Sequence, residues 1–163
     1  MASCPPDGPQ GLRVAQTTFL TTHGRQIDLV LTWFADTLMV VISESGKMGS
    51  LTLSVPPAMH DPTRLQDQPT PALQTVLGGS SGADPLIDFA AMHLHRIVLA
   101  ASPGERRTLM IALAIKPPAS AARAAASRHD AQLDALATPE MQTLFKEIFA
   151  EFTKLYVDHM PSR

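Results

Sequence analysis

The chain has 163 residues, a net charge of −2 and a charged fraction of 17%. That length supports one domain with a sizeable core. A near-neutral balance lacks the basic field of a nucleic-acid binder, and no apolar run approaches the ~20 residues of a membrane helix. The single cysteine, Cys4, excludes an intrachain disulfide and suits a reducing compartment.

Residues 1–11 (MASCPPDGPQG) carry prolines and glycines without apolar periodicity and read as a disordered tail, with no basic-then-apolar secretory leader. The rest, 12–160, reads as a single domain. Val14 to Thr22 reads as a strand, and His23-Gly24-Arg25 as a turn. Ile27, Leu29, Leu31 and Trp33 alternate with Asp28, Val30 and Thr32, the pattern of a half-buried strand. Thr37 to Ser43 differs, because Leu38, Met39, Val40, Val41 and Ile42 are apolar without a break, so both faces of this strand need cover. After Ser45-Gly46, Ser50 to Val55 alternates cleanly. Four strands joined by short turns imply an antiparallel meander.

Residues 56–71 hold five prolines and read as a surface loop. Ala72 to Leu77 is a candidate fifth strand, and GGSSG (78–82) a flexible linker. Asp84 is a good N-cap with Pro85 in the first helical turn, and the helix runs to about Ala100 with a stripe of Leu86, Ala90, Leu94, Ile97 and Val98. Thr108 to Ile115 is a last strand. Leu109, Ile111 and Leu113 share one face; Met110 and Ala112 occupy the other, again apolar on both sides. The alanine-rich insertion 117–137 would bury little and reads as marginally ordered. Thr138-Pro139-Glu140 opens a final helix whose Met141, Leu144, Phe145, Ile148, Phe149, Phe152, Leu155 and Tyr156 fall on one face.

The expected fold is therefore α+β: an antiparallel five- to six-stranded sheet with two main helices. Two helices cover one face of such a sheet. The other needs a second cover, and a partner's sheet is the economical choice, giving a sheet-on-sheet dimer. The competing cover is the alanine-rich segment, which offers little area per residue. Leu38, Val40, Ile42, Leu109, Ile111 and Leu113 are the expected sheet core or dimer face.

Candidate chemistry is sparse. His93 and His95 lie two apart on a helix, about 200° around its axis, and cannot share a metal. His60 and His129 lack a second ligand at useful spacing. No Gly-x-Ser-x-Gly occurs, and GGSSG lacks the Lys-Ser/Thr of a phosphate loop. Catalytic residues, cofactors and metals are not expected. Lys47, between Gly46 and Gly49 at a strand junction, makes a poor phosphate cradle without a helix N-terminus behind it, so a turn or a partner contact is the better reading.

Taken in order, Gly46-Lys47-Met48-Gly49 with the strand to Pro56, then Val76-Leu77-Gly78 with Asp84-Pro85-Leu86-Ile87-Asp88-Phe89-Ala90, then Leu109 to Lys116, resemble the proteasome assembly chaperone 3 family over roughly residues 15–116. The resemblance implies a dimeric β-sandwich flanked by helices, without catalysis, cofactor or metal. It implies binding to α-type proteasome subunits during α-ring formation, with itself or a related fourth chaperone as dimer partner. Gly46, Lys47, Met48 and Gly49 are the candidate partner contact, and the expected location is the cytoplasm, with the nucleus as a second candidate. Nucleic acid and membrane are not expected partners. The reading from another class is a dimeric scaffold module of the roadblock or longin type.

Overall fold

A computed structural model describes residues 12–44, 46–56, 71–77, 84–117 and 128–160. The expected tail 1–11 and most of the proline loop and the GGSSG linker lie outside the described residues. Six strands form one sheet: β1 Arg13–Leu20, β2 Gln26–Trp33, β3 Thr37–Ser43, β4 Ser50–Val55, β5 Ala72–Leu77 and β6 Thr108–Ala114. Three helices accompany them: α1 Pro85–Ala101, α2 Arg128–Ala137 and α3 Pro139–His159.

The strand order is β1-β2-β3-β6-β4-β5. The fold class is the expected α+β, and the sheet is mostly antiparallel, but the meander stops after β3. β6 lies between β3 and β4 and runs parallel to β3, with Val40 beside Ile111. The physical reason is burial. β3 and β6 are the strands whose two faces are both apolar, and the two central positions flank each of them with a neighbouring strand on both edges and put one face fully under the helices.

Both long helices pack on one face. Asp84 caps α1 by accepting a hydrogen bond from the Leu86 N–H, and Thr138 caps α3 by accepting one from the Met141 N–H. Beneath them lie Ile27, Leu29, Leu31, Leu38, Val40, Ile42, Leu109 and Ile111, all essentially inaccessible, in one core with Leu94, Leu144, Ile148 and Phe152. Trp33 stacks on Tyr156 at 6.5 Å. The alanine-rich insertion departs from its expected marginal order over 128–137. There α2 forms, with Ala135 fully buried and its carbonyl accepting from the Thr138 hydroxyl at 2.7 Å. α2 contacts both α1 and α3, with Leu136 partly buried against the same core.

Arg25 ties one end of the sheet together. Its guanidinium meets Glu44 at 2.6 Å and the Lys116 carbonyl at 2.7 Å. Burial alone would raise the Glu44 carboxyl pKa; hydrogen bonds from Arg25 and the Lys116 N–H outweigh it and hold it below its ordinary value.

A candidate partner face and the Gly46–Gly49 loop

The side of the sheet away from the helices is apolar and in register. One row across it reads Leu77, Leu51, Ala112, Val41, Val30, Gln16; the next reads Gln74, Leu53, Met110, Met39, Thr32, Val14, so the apolar part is the centre and each row has a glutamine at one end. No described helix or strand packs on this face; Val30, Met39, Val41, Leu53 and Met110 are only half buried, while Leu51 and Ala112 between them are buried, at 8% and 0% exposure. Its one charged strand residue among those described is Asp28, at the margin, which accepts a hydrogen bond from the Thr18 hydroxyl at 2.8 Å.

The six residues expected as sheet core or dimer face all lie under the helices. Leu38, Val40, Ile42, Leu109 and Ile111 are at most 2% exposed, and Leu113 is 7% exposed. The open face belongs to their alternates. The sequence reads these alternates as apolar, and they are not among the candidate positions above.

β4 is the informative strand. Its register puts Ser50 opposite Leu113, Thr52 opposite Ile111 and Ser54 opposite Leu109, all on the helix side. The hydroxyl residues are therefore buried, at 7%, 0% and 0% exposure, while Leu51, Leu53 and Val55 face away from the helices. A strand with one face to water ordinarily does the reverse. Two contacts with α1 partly accommodate the inversion: the Ser50 hydroxyl meets Asp84 at 3.4 Å, and the Ser54 hydroxyl meets His95 Nδ1 at 2.9 Å.

The β3–β4 connection crosses the end of β6, and its glycines are explained by that path. Gly46 has φ +67°, the left-handed region. At Gly49 an added Cβ would fall 1.8 Å from the Leu113 carbonyl oxygen. The Ser43 hydroxyl donates to the Lys47 carbonyl at 2.9 Å, and the Glu44 N–H donates to the Ala114 carbonyl at 3.0 Å, which fixes the loop from both sides. The Lys47 and Met48 side chains are left projecting, with Met48 61% exposed. The backbone roles of the glycines set an expected contrast. Gly49→Ala should cost about 3 kcal/mol, because backbone must move. Gly46→Ala should cost about 1 kcal/mol, the price of a left-handed alanine with open space around it. Urea denaturation of both variants checks the ordering.

The histidines separate as the helical spacing requires. His93 lies among aromatic rings on the outer helix surface, 4.4 Å from Phe89 and 5.2 Å from Phe149 between ring centroids. Burial, then the Arg96 charge, lowers its pKa. His95 turns inward to β4. Among the described residues no cluster of three or more His, Cys, Asp or Glu could hold a metal ion, and no helix is long and apolar enough to cross a membrane.

No family model matches this chain, and no curated protein matches it. Among solved structures it is similar to a chain of the crystal structure of a novel chaperone complex for yeast 20S proteasome assembly, with 16% identity, 86% of this chain and 99% of that chain covered, and a TM-score of 0.48.

Proposed function

We propose that this protein is a non-catalytic, dimeric chaperone that binds proteasome α-type subunits and promotes α-ring assembly of the 20S core. The observation that carries the reading is β4, whose leucines lie on the side away from both helices, in register with Met110, Met39 and Val41. Such a surface is costly to leave in water and suits a second sheet of the same kind. The motif order from Gly46 to Lys116 supplies the identity of the system. The dimer partner is a second copy or a related fourth chaperone, and the site of action is the cytoplasm and nucleus. Differential affinity for the incomplete ring over the finished particle is the working principle.

The test is a tagged pull-down from native lysate read by mass spectrometry. Recovery of α-type subunits and a small second chaperone, with few mature β subunits, supports the reading. Recovery of membrane-traffic or signalling complexes instead moves it to the scaffold class. Lys47→Glu should fold normally, because the residue is exposed and the hydrogen bond from the Ser43 hydroxyl is taken by its backbone carbonyl. It should lower α-subunit recovery about fivefold, the scale of one rim charge. Unchanged recovery removes Lys47 from the contact.

A further inference from the structure

We propose that His95 and Ser54 form a protonation-sensitive latch between α1 and β4, so that acidification loosens α1 from the sheet. This inference goes beyond the assembly reading and does not depend on it.

The geometry comes first. α1 lies along β4 and meets it at two polar contacts, Asp84 with Ser50 near one end and His95 with Ser54 near the other. Between them on the strand sits Thr52, fully buried, with no hydrogen-bond partner for its hydroxyl among the described residues. An unpartnered buried hydroxyl costs stability, and Ser50, Thr52 and Ser54 give α1 less apolar area on this strand than the leucines on its other face would. α1 is held in the core by Leu86, Ile87, Ala90, Leu94 and Val98 and meets the hydroxyl face of β4 through these polar contacts, so a change in one of them is felt along this strand.

His95 is that contact. It is 3% exposed, and its Nδ1 lies 2.9 Å from the Ser54 hydroxyl oxygen. Neither β4 (SLTLSV) nor β6 (TLMIALA), the two strands under α1, carries a titratable side chain. On α1 itself, Asp88 and Asp84 lie seven and eleven residues earlier, about 10 and 16 Å along the axis. Arg96 is exposed and acts on His93. On α3, Glu147 is turned to the Thr22 N–H and hydroxyl, and Lys146 is exposed. On α2, Asp134 is exposed. None of these charges contributes to the titration of His95; burial alone lowers its pKa. An imidazolium there would be a buried cation without a carboxylate against it.

The sign follows. The folded state holds His95 neutral, and the open state takes a proton near the ordinary histidine value of about 6.5. The latch is fully closed above that value. Its contribution is lost as pH falls below it toward the depressed folded-state value. In that window the open population of α1 rises by up to about tenfold per pH unit.

The experiment is backbone amide hydrogen exchange on the full chain at about pH 7.5 and about pH 5.5, corrected for intrinsic exchange. Expected for the wild type is a selective loss of protection at Ala91, Leu94 and Val98 relative to β2 and β3. His95→Gln should abolish the pH difference, and His93→Gln, which removes the other depressed histidine, should keep it. Protection of α1 that does not change with pH, or a fall that is parallel in wild type and His95→Gln, overturns the proposal. If His95→Gln does not fold, the wild-type His95 ring titration by NMR decides. A midpoint well below the ordinary value, coinciding with the loss of α1 protection, supports the latch; a midpoint at about 6.5 overturns it.

Discussion

Ile111→Asp is expected to unfold the domain. Ile111 is fully buried beneath the helices at the centre of the sheet, between Val40 on β3 and Thr52 on β4. A carboxylate there is unpaired, in a cluster of aliphatic and aromatic side chains, and costs about 4 kcal/mol or more as an ion or as a neutral acid misfit for the space. Domains of this size hold about 5–15 kcal/mol, so most of the margin goes. Val40→Asp, its neighbour in the same layer, should behave alike. Circular dichroism at room temperature should show loss of cooperative unfolding, and expression should shift to the insoluble fraction. A folded Ile111→Asp protein would mean that β6 is not the central strand.

The sequence supplied the elements more readily than their order. Alternation of Ile27, Leu29, Leu31 and Trp33 located β2 and its buried face, since a period of two records which side meets the core. The unbroken runs in β3 and β6 marked two strands expected to be covered on both faces; the helices cover one face, and the other is apolar with no described element on it. Caps at Asp84 and Thr138 located both long helices, because capping is chemistry between near neighbours. The insertion of β6 between β3 and β4 was not legible, because a parallel pairing joins segments some 70 residues apart and leaves no local signal. The facing of β4 was equally hidden. Ser-Leu-Thr-Leu-Ser-Val announces two faces and does not say which is inside, and the usual rule chooses the leucines.

The candidate loop shows the same division. Gly46-Lys47-Met48-Gly49 was visible as a strand junction, but the reason for Gly49 lies in the Leu113 carbonyl, more than 60 residues away. His95 was placed opposite His93 by helical geometry alone. That it was the buried one required the hydroxyl of Ser54, which a strand assigned by leucine burial would have turned away.

Met110→Asp is expected to give a folded monomer, in contrast to its neighbour. Met110 is one residue from Ile111 on the same strand, yet it sits on the face without described cover, beside Met39 and Leu53. In a single chain the new carboxylate reaches water, so the cost to folding should stay near 1 kcal/mol. In a face-to-face dimer two such carboxylates, one from each copy, are buried near the centre of an apolar interface. An uncompensated buried charge there costs several kcal/mol, which weakens association at least about a thousandfold. Light scattering across a dilution series should show dimer mass for wild type and monomer mass for Met110→Asp, with near-native circular dichroism in both. The pair of adjacent substitutions thus separates the two faces of β6. Loss of folding at Ile111 and loss of partnership at Met110 would show that this strand is buried once by its own helices and once by another molecule. A Met110→Asp protein with full dimer mass would move the interface away from the sheet face, and with it the meaning of the outward leucines of β4.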